Sequence, residues 1–252
     1  MQQDNLPTTW SHPPDDLRLK HHQVDIWRAF LDLSTAPIRS FESSLSADET
    51  ERAARYHFSR DRDRFILAHE CLRDILARYL QREPEQLCFS KGKFGKPVLL
   101  TGTGIEFNLS HSGDYVLIVV TCELTAGIDV ERVREDIEIE KIAGRYFSQR
   151  EVSELMELHP EQRLRAFFYG WTRKEAYIKA HGLGLSLPLD SFDVSLAPTE
   201  EAIIRATRPD PDEASCWTLL PLDVDIAYAG AVAVKGQGLE FRYWDWNLTP
   251  LR

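Results

Sequence analysis

One helix and one strand constrain the fold of this chain more than any other part of the sequence. In the segment WTRKEAYIK, which has helical spacing, Glu175 and Lys179 are four residues apart and share one face. In the segment GIDVE, which reads as a strand, Asp129 and Glu131 are two residues apart and also share one face. Three carboxylates and a lysine converge if the helix packs on the strand. Such oxygen ligands suit Mg²⁺ held against substrate phosphates, and a lysine suits the phosphates themselves.

Each pair also has an ordinary structural explanation. Asp129 and Glu131 could be solvated carboxylates that pair with the nearby Arg132 and Arg134, and the helical pair could be a surface ion pair of the i,i+4 type. The apolar residues around both pairs argue against solvent exposure. Two carboxylates on one face of a buried strand repel each other unless a cation or an arginine neutralises them. We therefore expect some of these charges to point into a cleft.

Short strands and longer helices alternate along the rest of the chain. The capping box Ser46-Ala-Asp-Glu49 predicts one helix start, and Ser148 opens another helix. We predict helices near 46–56, 60–80, 137–147, 149–158 and 161–181, and a polar surface loop over 197–213. We predict strands near 24–30, 98–100, 106–109, 115–121, 126–130, 190–195, 217–222, 225–234 and 240–246.

A weak internal repeat indicates two similar lobes. Arg64 follows Ser46 by 18 residues, Arg165 follows Ser148 by 17, and each arginine is followed by an apolar helix, a glycine-containing turn and strands. The 252 residues, 43% of them hydrophobic, give ample length for a large core. We predict an α+β fold with a loose, Pro-rich arm over 1–20, an N-terminal lobe over 21–125 and a C-terminal lobe over 126–252. A ligand site is expected where the lobes meet.

Charge and cysteine content narrow the class of protein. The chain has a net charge of −10 and therefore lacks the basic surface typical of a nucleic-acid binder. Any anion site must be a local basic cluster. The four cysteines are scattered and form no C-x-x-C pair, so we expect no disulfide framework. The first residues carry no signal-peptide pattern, and no apolar run approaches the length of a membrane span. We expect a cytoplasmic protein without a membrane or nucleic-acid partner.

Further polar segments are candidate anion contacts. Ser110, His111 and Ser112 are adjacent, so their side chains alternate between faces of a strand and do not set up a catalytic Ser–His pair. A phosphate contact from His111 and a plain polar turn both stay open. The basic, glycine-rich segment 91–96 does not match the P-loop pattern, and is either a solvated hairpin or an anion contact. The arginines of 52–64 alternate with aspartates, which favours a surface network, with one or two of them available for phosphate.

Together these segments resemble the 4′-phosphopantetheinyl transferase family, in the two-lobed monomeric form associated with non-ribosomal peptide and polyketide synthases. The resemblance extends from about Ser46 to Val194, and the order and spacing of its motifs are highly specific. The motifs are Gly95-Lys-Pro97, Phe107-Asn-Leu-Ser-His-Ser112, Gly127-Ile-Asp-Val-Glu131, Phe147-Ser148, Trp171-Thr-Arg-Lys-Glu-Ala-Tyr-Ile-Lys179 and His181-Gly-Leu-Gly-Leu-Ser186.

The resemblance implies a fold and an activity. The fold would be α+β, a pseudo-two-fold pair of similar α/β lobes with coenzyme A between them. The activity would move the 4′-phosphopantetheine moiety of coenzyme A onto a serine of an acyl or peptidyl carrier protein, with Mg²⁺ as cofactor and adenosine 3′,5′-bisphosphate as the released product. The protein would act as a monomer.

Residue roles carried over by matching position are also implied by the resemblance. Asp129, Glu131 and Glu175 would hold Mg²⁺, and Glu175 would also be the base for the carrier serine, directly or through a water. Lys179 would contact the pyrophosphate. The implied coenzyme A contacts are Arg52, Lys91, Gly95, Lys96, Pro97, Ser110, His111 and Lys179.

One departure from the family pattern concerns the 3′-phosphate. Arg52 matches a basic position that grips this phosphate, but Glu49 stands where some members have a further lysine. Lys91 or Arg64 are candidates to complete the grip.

Two other functions are retained as alternatives. A degenerate member could hold coenzyme A or a carrier domain without transfer, although all three carboxylates and the lysine are present. A metal-dependent nucleotide hydrolase would explain the carboxylates but not the ordered motifs. Carrier domains are commonly acidic and so is this chain, so docking should use apolar contacts and a local basic patch. Exposed aromatic residues near 146–171 are candidates for that surface.

Overall fold

The computed structural model describes residues 9–42, 44–92, 95–100 and 102–247. Residues 1–8, which begin the predicted N-terminal arm, and residues 93–94, within the predicted glycine-rich segment, lie outside the described residues. Within those ranges no helix combines the length and the apolar composition that crossing a bilayer requires.

The described residues form helices and strands that follow one another in two series. The helices are α1 (Ile38–Phe41), α2 (Ala47–Ala54), α3 (Ser59–Leu80), α4 (Ile139–Tyr146), α5 (Gln149–Glu157) and α6 (Pro160–His181). The strands are β1 (Gln23–Phe30), β2 (Phe89–Lys91), β3 (Pro97–Leu99), β4 (Ile105–Ser112), β5 (Tyr115–Cys122), β6 (Ala126–Arg132), β7 (Phe192–Val194), β8 (Ile204–Thr207), β9 (Trp217–Pro221), β10 (Tyr228–Lys235) and β11 (Glu240–Trp246).

Two sheets form the centre of the molecule. The first has the order β11-β1-β5-β4 and the second the order β6-β10-β9, while β2–β3 and β7–β8 are separate two-stranded sheets. β11 runs parallel to β1, and the other neighbours in the two large sheets are antiparallel. The last described strand therefore completes the sheet built by the first half of the chain, and a cut at residue 125 would separate β11 from its neighbour.

Helices and sheets pack in layers around three apolar clusters. Helix α3 covers one face of the first sheet, and its own residues Phe65 and Ile75 are fully buried in the contact. Helix α6 covers one face of the second sheet. The remaining two faces pack against each other through residues such as Ile26, Val119 and Ile128. This stacking brings the edge strand β4 alongside the edge strand β6, so that the two lobes meet along these strands.

The two lobes repeat one buried structural device. Glu49 completes the capping box of α2 and its carboxylate lies 2.6 Å from the guanidinium of Arg73 in α3. Glu151 completes the capping box of α5 and its carboxylate lies 2.8 Å from the ammonium of Lys174 in α6. Each cation also donates to two backbone carbonyls of the segment after its long helix. The short helix, the long helix and the following segment are thus tied together twice in the same way.

The sequence repeat has a structural counterpart as well. Arg64 lies near the start of α3 and donates to Asp114 in the turn between β4 and β5. Arg165 lies at the matching place in α6 and donates to the carbonyl of Ile226, 2.6 Å away, in the connection between β9 and β10. Each arginine therefore links the first turns of a long helix to a connection between two strands of the sheet that this helix covers.

The predicted helices and strands are all present, with ends within a few residues of the predicted ones. The predicted loop over 197–213 is wrong in part, because it contains β8 and the first residues of a 3₁₀ helix, Pro211–Cys216. Charged residues flank this short strand, yet Ile204 and Thr207 are buried where it pairs with β7. The short β2 and α1 were not predicted. The alternative of a plain polar turn at Ser110, His111 and Ser112 is wrong, because β4 continues to Ser112.

The described part of the predicted arm, residues 9–20, lies along β11. The amide of Ser11 donates to the carbonyl of Tyr243, and the amide of Asp245 donates to the carbonyl of Ser11. Leu17 is buried in the apolar cluster beneath α3.

Candidate active site

Close packing of α6 on β6 brings the predicted site residues together. A Cβ atom at Gly127 would lie 2.2 Å from both the carbonyl oxygen of Ala176 and the backbone nitrogen of Ala180. Real side chains do not tolerate such distances, so only glycine allows the helix to approach the strand this closely. The approach places the helix face of Glu175 and Lys179 against the strand that carries Asp129.

Lys179 joins the helix, the strand and the other lobe. Its Nζ lies 2.6 Å from Oδ1 of Asp129 and donates to Oγ of Ser110, 2.8 Å away. The Ser110 hydroxyl also donates to Oδ1 of Asp129, over 2.8 Å. Asp129 is buried. The described structure therefore pairs Lys179 with Asp129, and it gives no salt bridge between Lys179 and Glu175 that would correspond to a surface i,i+4 pair.

Alternate side chains of β4 replace a backbone ladder between the lobes. The amides of Ile128 and Arg132 donate to the side-chain oxygens of Asn108 and Ser112, over 2.9 Å and 3.1 Å. The Ser112 hydroxyl in turn donates to Oε2 of Glu131, over 2.9 Å. Asn108 was missed as a site residue from the sequence, and Ser112 was considered there only as a candidate anion contact. The signal was there, because N-x-S-x-S places three polar side chains on one face of a strand.

Asp129, Glu131 and Glu175 form what we call the carboxylate cluster. Burial, together with the negative charge of Asp129, raises the pKa of Glu175 to about 7. The same two causes raise the pKa of Glu131 above its ordinary value. These shifts are those expected for carboxylates that repel one another in a partly desolvated cleft. The cluster therefore favours binding of a cation.

The carboxylate cluster offers an unused ligand atom but not a complete metal cage. Oδ2 of Asp129 is buried and has no hydrogen-bond partner in the described structure. Across the described ranges, no group of three or more His, Cys, Asp or Glu side chains is arranged to hold a metal ion. Mg²⁺ is commonly held by one or two carboxylates together with substrate phosphates and waters. The donor set fits Mg²⁺ brought in with a phosphate-bearing substrate.

A group of cationic side chains, which includes Lys179, acts on His111. His111 projects from β4 and its side chain reaches solvent. Partial desolvation of the ring lowers the pKa of His111, and so do the positive charges of Lys179, Arg52 and Arg64. The guanidinium of Arg52 lies 5.2 Å from the ring centroid of Phe65 in α3. Three cations therefore surround the His111 ring, which accepts a hydrogen bond when it is neutral and gains a proton more readily beside an anion. Together these side chains form a suitable phosphate-binding surface.

Two predicted lysine contacts have other partners in the structure. Nζ of Lys96 donates to the carbonyls of Ala126 and Ala180, 3.1 Å and 3.4 Å away, and so ties the β2–β3 hairpin to the other lobe. Nζ of Lys91 lies 2.8 Å from the carboxylate of Asp48 at the surface. Gly95 has a positive φ of 85° and Pro97 begins β3, so both lie in the same hairpin as the two lysines.

Glu49, the departure noted in the sequence, has a structural role. Its carboxylate accepts from the backbone amide of Ser46 and pairs with the buried guanidinium of Arg73. The negative charge is therefore fixed by the protein and compensated there. Any phosphate grip must rely on the cationic side chains around His111.

Beside Glu131 lies an apolar cavity of about 130 Å³. It is lined by Glu131, Arg134, Ile137, Ile142, Phe167, Phe168 and Trp171. A larger cleft of about 1080 Å³, lined mainly by residues of α6, of β9 to β11 and of the connections between these strands, contains none of the predicted site residues. The smaller cavity is therefore the one that belongs to the site.

Comparison with known proteins matches both halves of the chain to one family. The model of the 4′-phosphopantetheinyl transferase superfamily matches residues 125–233, and that of the 4′-phosphopantetheinyl transferase N-terminal region matches residues 34–123. The chain is 38% identical over 242 residues to 4′-phosphopantetheinyl transferase HetI of Nostoc sp., covering 95% of this chain and 99% of the relative. It is 32% identical over 211 residues to 4′-phosphopantetheinyl transferase Sfp of Bacillus subtilis, covering 83% and 91%.

Proposed function

The chain belongs to the 4′-phosphopantetheinyl transferase family, and we propose that the carboxylate cluster with Lys179 is its reaction centre. The family acts on carrier-protein domains with coenzyme A as co-substrate. In the proposed reaction a carrier serine attacks the phosphorus on the pantetheine side, and adenosine 3′,5′-bisphosphate leaves. The convergence of Lys179, Ser110 and Asp129 at the junction of the two lobes is the observation that carries this proposal.

Mg²⁺ is the proposed cofactor of this centre. The free, buried Oδ2 of Asp129 supports it, and so do the pKa values of Glu131 and Glu175, which burial and repulsion by Asp129 raise. These three carboxylates would hold the ion, and the substrate pyrophosphate would complete the ligand set. When bound, the ion supplies neutralisation of charge on the phosphate oxygens.

Glu175 is the proposed base for the carrier serine. A pKa of about 7 keeps a substantial fraction of its side chain ionised near neutral pH while leaving it basic enough to accept a proton. The serine proton would reach Glu175 directly or through a water, and a cation bound to the same carboxylate would lower its basicity. Lys179 offsets negative charge on the departing bisphosphate. Positioning and electrostatics supply the acceleration, since no covalent intermediate with the enzyme is required.

Coenzyme A is proposed to bind along β4, with its two ends on opposite sides of Lys179. Arg52 and His111 would contact the 3′-phosphate, with Arg64 as a further candidate. The apolar cavity beside Glu131 suits the pantetheine arm. Lys91 stays a further candidate for the 3′-phosphate, and Ser110 and the Gly95-Lys-Pro97 turn stay predicted contacts of the adenosine part.

We further propose a cytoplasmic monomer. Both lobes of the site come from one chain, so a second copy is not needed to complete it. All four cysteines, Cys71, Cys88, Cys122 and Cys216, are free, which fits a reducing compartment.

The test is intact-mass analysis of apo fatty-acid, polyketide and peptide carriers incubated with this protein, coenzyme A and Mg²⁺. We expect one carrier to gain a single phosphopantetheine, and the gain to vanish with EDTA. Binding of coenzyme A without a gain on any carrier would favour the non-catalytic alternative. Release of nucleotide without a carrier would favour the hydrolase.

A further inference from the structure

The macromolecular substrate must cover the mouth of the carboxylate cluster, because its serine hydroxyl has to reach Glu175. Two surfaces flank that mouth. One, which we call the turn flank, consists of Phe58, Arg60, the Gly113–Asp114 turn and Arg132. The other, the acidic flank, is the segment of residues 135–140 that follows β6, in which every charged residue is exposed. The two differ in charge and in apolar exposure, and this difference decides how a carrier domain can approach.

The turn flank adjoins the cluster directly. Ser112, the residue before the turn, donates to Glu131. Asp114 accepts from Arg64, and the Arg60 guanidinium lies 3.4 Å from the same carboxylate.

Arg132, at the end of β6, packs against the turn, since a Cβ atom at Gly113 would lie 3.2 Å from its Cδ. The hydrogen bond from Arg64, together with the charges of Arg60 and Arg132, holds the pKa of Asp114 below its ordinary value. Because Arg64 also lies 3.8 Å from the carboxylate of Asp61, three arginines here face two carboxylates, which leaves a local positive excess in a chain of net charge −10.

The turn flank also carries an exposed aromatic side chain. Phe58 precedes α3 and is 65% exposed, and Arg60, two residues later, has a side chain that is also 65% exposed. Among the described residues, the only aromatic ring that the Phe58 ring contacts is that of the neighbouring His57. An exposed aromatic beside arginines has the composition of an interface anchor.

The aromatic residues predicted for this role from the sequence are not suitable. Phe147, Phe167 and Phe168 are buried, and Tyr146 and Trp171 are half-buried and pack on each other. None of the large apolar side chains exposed in the described structure falls in 146–171.

The acidic flank has the opposite character. Glu135, Asp136, Glu138 and Glu140 are all exposed, and the Lys141 ammonium beside them is already paired with Glu138, 2.6 Å away. An acidic partner is repelled there, and the overall charge of the chain repels it over most of the remaining surface. The turn flank is therefore where an acidic partner can touch the mouth of the site without that repulsion.

We propose that the carrier domain docks on the turn flank, through an acidic face that meets Arg60 and Arg132 and an apolar side chain that packs on Phe58. The proposal rests on the transferase function proposed above and adds the surface and the chemistry of its protein partner. The carrier then approaches the cluster from the N-terminal lobe side of the cleft, past the β4–β5 turn.

The test compares steady-state transfer to an apo carrier that the wild-type protein modifies. Arg60→Glu and Phe58→Ala are each expected to lower kcat/KM for the carrier by about tenfold, since charge reversal and loss of an anchor both weaken docking. KM for coenzyme A is expected to stay unchanged. Arg18→Glu and Ile203→Ala are the matched controls, because both side chains are exposed but lie away from the turn flank. The melting temperature of every variant is measured alongside.

A second measurement is independent of catalysis. A photo-crosslinking amino acid placed at position 58 is expected to capture the apo carrier, and the same group at position 203 is not. Unchanged kcat/KM in both turn-flank variants, or equal crosslinking from the two positions, would overturn the docking surface. The proposed function would still stand in that case, because the wild-type protein transfers the group. Absence of transfer by the wild-type protein on all carriers would instead refute the function on which the docking surface rests.

Discussion

Replacing Gly127 with alanine tests whether the close approach of α6 to β6 assembles the site. The added Cβ would lie 2.2 Å from backbone atoms of Ala176 and Ala180, whereas ordinary contacts begin near 3.4 Å. Because these are backbone atoms, the helix must move away by roughly 1 Å. The Lys179–Asp129 contact of 2.6 Å then lengthens beyond the range of a strong ion pair.

Two consequences of the Gly127→Ala substitution can be measured separately. Overpacking should lower the free energy of unfolding by about 1–3 kcal/mol in a urea titration. Displacement of reacting groups by about 1 Å should lower kcat for carrier modification by about 10²-fold. Gly144→Ala is the matched control, since no atom lies within 4 Å of a Cβ there and alanine in helix α4 should stabilise by about 0.5–1 kcal/mol. Equal stability and equal kcat in Gly127→Ala and the wild type would refute the reasoning.

Three further perturbations test other parts of the structure. Asp129→Ala should raise the Mg²⁺ concentration needed for half-maximal transfer, and an unchanged metal titration would exclude Asp129 as a ligand. Lys174→Ala should lower the free energy of unfolding by about 3–5 kcal/mol, because it leaves the carboxylate of Glu151 buried and unpaired. The Lys174→Met, Glu151→Gln double variant should recover part of that loss in the same urea titration. Burial lowers the pKa of His69 to about 4, so the unfolded chain binds a proton that the folded chain does not, and stability is lost as pH falls from about 6.5 towards 4. Between pH 7 and pH 5 the free energy of unfolding should fall by about 2 kcal/mol. This loss should be absent from His69→Asn, and an identical pH profile of the two proteins would contradict it.

Much of the fold could be predicted because local signals and tertiary packing agree. The S-x-x-E pattern at Ser46 predicts the start of α2, where the capping box forms, and the apolar spacing after Arg60 predicts α3, which buries the face that the spacing marks. β8 could not be predicted in the same way. Its four residues are set between polar and Pro-rich segments, and pairing with β7 decides its conformation.

The return of β11 to the first sheet also lies beyond local patterns. Its strand character was predicted, but nothing within residues 240–246 specifies a parallel partner more than two hundred residues earlier. Arg242 shows the tertiary reason, because it donates to the fully buried carboxylate of Asp25 in β1, 2.6 Å and 2.8 Å away.

The site was predictable to the extent that spacing fixes a shared face. Glu175 and Lys179 lie on one helix face, and Lys179 reaches Asp129 because α6 packs on β6. The same helix also carries Lys174, whose ammonium is buried with Glu151 on the other side. Spacing alone does not distinguish a charge that faces the cleft from one that stabilises the core, because both are surrounded by apolar residues in the sequence.

Contacts made by long, flexible side chains were the least predictable part of the site. Lys96 has an ammonium that several acceptors can satisfy, and in the structure it binds backbone carbonyls of the opposite lobe. Glu49 and Arg73 are far apart in sequence, and only the packing of α2 on α3 makes them a pair.

The measurement that tests the central claim most directly is transfer by Glu175→Gln, followed by intact-mass analysis of the carrier in a single turnover. The substitution keeps the size of the side chain and removes its charge and its basicity. We predict that coenzyme A affinity and melting temperature change little, and that the transfer rate falls by about 10²–10⁴-fold, as expected for loss of a general base. A transfer rate near that of the wild type would contradict the assignment of the carboxylate cluster as the reaction centre.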